Sequence, residues 1–116
     1  MSAFRSDAEW ARYERYKAEG GLDGVCRLCE KEPLKNFTRW RIIQNEFPYD
    51  KVAKVHHMII PNRHVTEPEL NSEEIQEFRD IKQEYLHKKY DFLIEASYLK
   101  KSIPGHFHIH LIVGKN

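Results

Sequence analysis

The sequence predicts an α+β domain with a mostly antiparallel sheet, and three observations support this class. Segments with the two-residue alternation of strands lie both before and after one amphipathic helix, an order typical of α+β domains. The chain has 116 residues, which suits a single domain with one core. Its apolar runs are no longer than a strand, so we expect no membrane-spanning helix.

The first predicted element is a helix from about Ala8 to Glu19. Ser6 with Glu9 three residues later is typical of a capping box, and Gly20-Gly21 ends the helix. Three aromatic residues form one side of it: Trp10, Tyr13 and Tyr16. We expect this side to pack on the domain or across a dimer, because a stacking platform for nucleic acid would need a more basic surface.

Two strands, a long helix and two further strands are predicted next. The strand segments are Thr38 to Gln44, Lys54 to Ile60, Phe92 to Tyr98 and His106 to Val113. Pro48 interrupts the chain between the first two strands, and Pro61-Asn62-Arg63 ends the second strand in a turn. Asn71 with Glu74 is typical of a helix start. The apolar side of that helix carries Ile75, Phe78, Ile81 and Tyr85.

Charge and cysteine content exclude several classes of protein. The chain has 19 basic and 18 acidic residues, a formal net charge of +1, so we expect neither nucleic acid nor a membrane as a partner. The N-terminus is highly charged, unlike a signal sequence. Two cysteines at close spacing would not stabilise a secreted domain, so a cytoplasmic location is expected.

Three histidines, His106, His108 and His110, alternate with bulky apolar residues near the C-terminus. On an extended strand they would share one face, while Phe107 and Ile109 would face the core. A tag or a surface metal-binding tract is the competing interpretation, but such tracts are usually uninterrupted. Residues two apart in a strand are separated by roughly 6.6 Å, so one metal ion with ligands at about 2.1 Å cannot hold all three. At least one histidine is left for another role, and a catalytic base or nucleophile beside a metal ligand would be a natural arrangement.

The two cysteines, Cys26 and Cys29, have the spacing of a C-x-x-C knuckle. Such a pair is typically a redox centre when it opens a helix in a βαβ unit, but here Gly24 precedes it and Pro33 follows. With His64 and one strand histidine, the pair completes a set of four ligands suited to structural zinc. We predict a zinc ion, with a redox pair or unligated thiols as alternatives.

The segment from His106 to Ile112 resembles the histidine-triad (HIT) motif, in which three histidines alternate with hydrophobic residues and two more hydrophobic residues follow. His56 to His64 is similar to a strand and turn of that superfamily that end in Pro-x-x-His. Asn45 to Tyr49 is similar to a stretch in its phosphorylase and uridylyltransferase-like branches. The resemblance covers about residues 25 to 113 and implies a HIT-like fold, a mostly antiparallel sheet of about five strands with one long central helix. Residues 1–24 would add an N-terminal helix and lead-in to a domain of residues 25–116.

The resemblance also implies a role for each matched residue. His108 corresponds to the family's nucleophile, which attacks the α-phosphorus of a nucleotide and forms a covalent phosphoramidate. His110 would bind phosphate and transfer protons, and His56 matches a histidine beside the phosphate; either ring, if protonated, would neutralise phosphate charge. Zinc-containing members imply one ligand set: Cys26, Cys29, His64 and His106.

The segment before the triad departs from the family pattern. Many members carry an Asn and then Gln-Ser or Gln-Thr there, whereas residues 95–105 of this chain contain no Asn and no Gln. Phosphate contacts are expected from Lys101, Ser102 and the backbone at Gly105. A solvated turn is the alternative for the lysine, and closure of that turn is the alternative for the serine. The family often dimerises, so a partner subunit of a homodimer is expected to complete the nucleobase pocket.

Together these features predict an enzyme that binds a nucleotide-type small molecule. It would be a hydrolase or nucleotidyltransferase that cleaves at the α-phosphate of a dinucleoside polyphosphate, a nucleoside phosphoramidate or a nucleotide sugar. Hydrolysis is favoured over phosphorolysis. The alternative is a zinc-stabilised module that binds a nucleotide or a protein with little or no turnover, because the missing Gln would signal lost catalysis.

Overall fold

The computed structural model describes residues 3–21, 24, 26–99 and 103–115. Two helices come first, α1 (Asp7–Ala18) and the short α2 (Arg27–Glu30). The strands are β1 (Lys35–Asn36), β2 (Trp40–Gln44), β3 (Ala53–Pro61), β4 (Phe92–Ile94) and β5 (Ile109–Gly114). Between β3 and β4 lie a 3-10 turn (Glu67–Glu69), α3 (Ser72–Ile81), a π-helical continuation (Lys82–Leu86) and a last turn, α4 (His87–Lys89). The predicted α+β class is confirmed. Within the described residues, no helix combines the length and hydropathy that crossing a membrane requires.

The five strands form one antiparallel sheet in the order β1-β2-β3-β5-β4. The long central β3 pairs with β2 on one side and with β5 on the other. In the β3-β5 pair, His56 lies opposite Ile112 and Met58 lies opposite His110. Side chains of directly opposed residues share a face of the sheet. His56, Met58 and His110 are therefore on the same face.

Each face of the sheet has its own hydrophobic cluster. The helix that follows β3 covers the larger cluster, whose buried members are Trp40, Ile42, Ile59, Ile81, Leu86, Phe107, Ile109 and Leu111. The smaller cluster consists of Leu28, Ile43, Met58 and Ile60. The prediction that Phe107 and Ile109 face the core is confirmed. Since these residues alternate with the histidines, the larger cluster holds the histidine segment in place from behind.

The histidine segment departs from regular strand geometry where the sequence predicts that the strand begins. Strand pairing starts at Ile109 and not at His106. Before that point the chain contacts the segment that follows β3. The N–H of Phe107 donates to the carbonyl oxygen of Val65 at 2.7 Å. Of the three histidines, only His110 is thus held by the ladder itself, while His106 and His108 precede the strand.

Two other strand predictions differ from the structure. The strand predicted for Phe92 to Tyr98 ends at Ile94, where its pairing with β5 reaches His110. Strand β1 is not predicted because it has two exposed residues, Lys35 and Asn36, and no alternation. The long helix is confirmed with its capping box, in which Asn71 accepts from the N–H of Glu74 at 2.8 Å.

Trp40 lies in the larger hydrophobic cluster, and we expect its replacement by a small side chain to destabilise the protein strongly. Its side chain is 0% exposed, its ring centroid lies 5.0 Å from that of Phe78, and its Nε1 donates to the carbonyl oxygen of Glu74 at 2.9 Å. We expect Trp40→Ala to lower the free energy of unfolding by about 3–5 kcal/mol in urea titrations. The control Phe92→Ala, at a side chain that is 57% exposed, should cost about 1 kcal/mol or less. Equal losses would contradict this description of the core.

Candidate functional site

Four side chains suited to binding a metal meet at one point. They are Cys26, Cys29, His64 and His106, and their ligating atoms all lie within 4.8 Å of one another. Cys26 is the N-cap of α2 and Cys29 lies in the same helical turn, which brings the two thiols to one side. The Sγ atom of Cys29 lies 3.3 Å from Nδ1 of His64 and 3.3 Å from Nδ1 of His106.

The hydrogen bonding of His106 suits metal binding. Its Nε2 lies 3.0 Å from the carbonyl oxygen of Pro61, which can only accept, so Nε2 carries the hydrogen. The lone pair of the neutral ring then lies on Nδ1, which is 3.5 Å from the Sγ atom of Cys26. In a tetrahedral zinc site, nitrogen and sulfur ligands are separated by about 3.6 Å. The four side chains are therefore close enough together to bind one metal ion.

His108 has its ring oriented by the backbone of the same segment. Its Nδ1 lies 2.8 Å from the carbonyl oxygen of His106, to which it donates. In the neutral ring the lone pair is consequently on Nε2. A neutral imidazole with this tautomer can act as a nucleophile through Nε2.

His110 belongs to a chain of hydrogen bonds that begins at the backbone. The N–H of Tyr49 donates to Nδ1 of His56 at 3.0 Å, so Nδ1 of His56 carries no hydrogen. The opposite nitrogen of His56, Nε2, then donates to Nδ1 of His110 at 2.8 Å. A neutral His110 therefore carries its hydrogen on Nε2, which faces the hydroxyl group of Tyr49 at 3.3 Å. One backbone contact thus determines the tautomers of two rings.

His56 is a neutral side chain at pH 7. It is 2% exposed, and burial lowers its pKa to about 3, with the positive charges of Arg5 and His57 acting in the same direction. A protonated His56 that neutralises phosphate charge does not fit these surroundings. The geometry indicates instead that His56 acts on His110, which it contacts directly.

A cavity of about 110 Å³ opens beside His108 and His110. Its apolar side is formed by Leu28, Met58 and Ile103. Aromatic and cationic side chains complete most of the lining: Tyr13, Tyr16, Phe47, Tyr49, Arg5, Arg27 and Lys31. Aromatic rings and cations together suit a ligand that combines a planar ring with negative charge.

Of the three predicted phosphate-binding residues, the structure describes Gly105. Lys101 and Ser102 lie outside the described residues. Gly105 lies next to the metal-binding cluster, since a Cβ atom built on it would be 3.6 Å from Nε2 of His64. The roles of these three residues stay predictions.

Sequence reasoning missed several residues of the site. Tyr49 contacts both His56 and His110, and Arg5 lies over the Tyr49 ring, 5.0 Å from its centroid. The resemblance of Asn45 to Tyr49 to a family stretch is the signal that points to Tyr49. Arg5 precedes α1 and carries no comparable signal.

Comparisons with known proteins identify the fold. No protein-family model matches the chain, and no curated protein matches it. Among solved structures, the chain is similar to a HIT family hydrolase from Clostridium thermocellum, with a TM-score of 0.58 and 24% sequence identity. The match covers 82% of this chain and 94% of that one. The chain therefore has the HIT-like fold that the sequence resemblance implies.

The neutral state of His56 predicts how stability depends on pH. In the unfolded chain the ring has a pKa of about 6.5, whereas in the folded chain the pKa is about 3. Between these values the unfolded chain binds a proton that the folded chain excludes, so stability falls as the pH drops from about 6.5 towards 3. In urea titrations between about pH 7 and 4, His56→Gln should show a shallower decline than the wild type. Parallel declines would mean that His56 titrates normally in the folded chain.

Proposed function

We propose that the chain belongs to the histidine-triad superfamily and cleaves nucleotide-type substrates at the α-phosphate, as a hydrolase or a nucleotidyltransferase. One observation carries this proposal. The hydrogen bond from Nδ1 of His108 to the carbonyl oxygen of His106, 2.8 Å long, leaves the lone pair of a neutral ring on Nε2. This ring lines a cavity with aromatic and cationic walls. The fold similarity to a protein named as a HIT family hydrolase supports the same class of activity.

In the proposed first step, Nε2 of His108 attacks the α-phosphorus. The phosphorus–nitrogen bond forms as the bond to the leaving group breaks, and the leaving group departs with the bonding electron pair. The nucleotide is then held on His108 as a phosphoramidate, which divides one difficult displacement into two easier steps. In the second step water attacks the phosphorus and loses a proton to solvent. The phosphorus–nitrogen bond breaks, its electron pair returns to Nε2, and the nucleoside monophosphate leaves the neutral ring.

His110 is the proposed hydrogen-bond donor to the phosphate. His110 lines the same cavity as His108, and its Nε2–H group would donate a hydrogen bond to a phosphate oxygen or to the leaving group as negative charge develops there. Burial raises the pKa of Tyr49, so its phenol keeps the proton at neutral pH. With no phosphate bound, the Tyr49 hydroxyl can accept from Nε2–H of His110, while Nδ1 accepts from His56, so both contacts hold the neutral ring in position.

We also propose that the metal ion is zinc and that its role is structural. Two thiolates and two imidazoles make up a ligand set that zinc prefers in closed tetrahedral sites. Four protein ligands leave no coordination position for a substrate. When bound, the ion would cross-link α2, the turn after β3 and the segment before β5.

Removal of His108 tests the proposed activity. We expect His108→Ala to lower turnover by about 1000-fold or more while nucleotide affinity changes little, because a nucleophile acts mainly in the transition state. Rapid-quench labelling with α-labelled nucleotides should trap an adduct on the wild type and none on the variant. His57→Gln is the matched control, because His57 bonds to Tyr90 at 2.7 Å and does not line the cavity as described.

The substrate panel in that experiment should contain dinucleoside polyphosphates, nucleoside phosphoramidates and nucleotide sugars, each with and without inorganic phosphate. The products identify the acceptor of the second step. Absence of an adduct and of turnover across the panel, at saturating ligand, would sink the enzyme hypothesis and leave a binding module.

Elemental analysis tests the metal. We expect one zinc ion per chain, and we expect Cys29→Ser and His106→Ala to lose both zinc and thermal stability. His110→Ala should keep the zinc, because His110 is not among the four clustered ligands. A purified protein without zinc, whose melting temperature does not respond to Cys29→Ser, would rule out a structural zinc site.

A further inference from the structure

Helix α1 closes one side of the cavity that contains His108 and His110. Two of its aromatic side chains, Tyr13 and Tyr16, line that cavity. Their ring centroids lie 5.2 Å and 4.8 Å from the centroid of Phe47, which also lines the cavity. The segment outside the family resemblance is therefore part of the cavity wall.

The start of α1 is fixed to the loop between β2 and β3, which carries Tyr49. The backbone N–H of Ser6 donates to Oδ1 of Asp50 at 2.7 Å, and its hydroxyl donates to Oδ2 at 2.6 Å. Nε of Arg5 donates to the carbonyl oxygen of Phe47 at 2.9 Å. These three hydrogen bonds hold the start of α1 against the loop that lies beside His56 and His110.

The ring of Tyr16 packs against the backbone of Gly21, which follows α1. A Cβ atom built on Gly21 would lie 2.0 Å from a ring carbon of Tyr16, so this position has no room for a side chain. The N–H of Gly21 donates to the carbonyl oxygen of Tyr16 at 2.8 Å, and Nε of Arg27 donates to the carbonyl oxygen of Gly21 at 3.0 Å. The backbone therefore keeps the ring at the cavity.

The lining around Tyr16 suits a planar ring better than a second phosphate. Two nearby cations of the cavity are paired with carboxylates, Arg27 with Glu30 at 3.3 Å and Lys31 with Glu46 at 3.2 Å. Such pairing reduces the charge available to an anion. Aromatic faces, by contrast, bind any nucleobase by stacking, whatever its hydrogen-bonding groups.

We infer that Tyr16 determines specificity, selecting substrates whose non-reacting end is a planar aromatic base. This inference rests on the proposed function. It also assigns to the chain's own α1 a wall of the nucleobase pocket that sequence reasoning assigns to a partner subunit.

The test compares two substrates with the same reacting group, adenosine 5′-phosphoramidate and ribose 5-phosphoramidate, which lacks the base. The readout is the ratio of their kcat/KM values. Tyr16→Ala should lower this ratio by about 10- to 100-fold, the usual effect of losing one stacking partner. Gly21→Ala should lower it as well, because the added methyl group displaces the ring. Tyr16→Phe should restore most of the preference, since it retains the aromatic face.

Trp10→Ala is the matched control, an aromatic residue of α1 that is not among the described residues lining the cavity. It should leave the ratio unchanged, and circular dichroism should show that all variants are folded. A ratio that Tyr16→Ala does not change, because both substrates are affected equally or not at all, would overturn the inference.

Failure of the proposed function gives a different result. If the wild type turns over neither phosphoramidate, calorimetric binding of adenosine monophosphate and ribose 5-phosphate replaces the kinetic ratio. A preference for adenosine monophosphate that Tyr16→Ala abolishes would support the role of Tyr16 although the chain is not an enzyme of this class. Equal affinities, or a preference that Tyr16→Ala leaves intact, would overturn the inference separately.

Discussion

Backbone hydrogen bonds assign different chemical roles to histidines that are identical as residues. A neutral imidazole has one donor and one acceptor nitrogen, so fixing one of them determines the other. His106 donates through Nε2 to the carbonyl oxygen of Pro61 and presents Nδ1 to the thiols. His108 donates through Nδ1 to a carbonyl oxygen and keeps its lone pair on Nε2. His56 accepts from a backbone N–H at Nδ1 and donates a hydrogen bond through Nε2 to Nδ1 of His110. The proposed division into metal ligand, nucleophile and hydrogen-bond donor to the phosphate depends on these contacts.

The sheet supplies the rigidity that such contacts need. The apolar residues between the histidines are buried in the cluster around Trp40, so the histidine segment cannot rotate without exposing Phe107 and Ile109. Strand β3 holds the other half of the site, since it carries His56 and ends at Pro61. Side chains that must be placed to within a fraction of an ångström are thus attached to the best-packed part of the molecule.

Features encoded by local pattern could be predicted from the sequence, and features created by docking could not. The alternation at His106 to His110 predicts the core-facing residues. The spacing of Cys26 and Cys29 predicts a metal-binding knuckle, and the family resemblance implies His64 and His106 as its other two ligands. The start of β5 at Ile109 depends on a contact with Val65, which no local pattern encodes. Likewise, Tyr49 lies in a loop without periodicity, so its contact with His110 becomes visible only in three dimensions.

The π-helical turn after α3 reconciles a helix with a core that does not follow its period. Ile81 and Leu86 are five residues apart, and both are buried in the same cluster. In a regular α-helix, side chains five apart point about 140° away from each other, so one of them would face solvent. Bonds of the i to i+5 type over Lys82–Leu86 widen the turn and bring the two side chains back onto one side. The π-helical turn therefore changes the angular position of every side chain that follows it. One continuous helix can then bury apolar residues on the same side both before and after the turn.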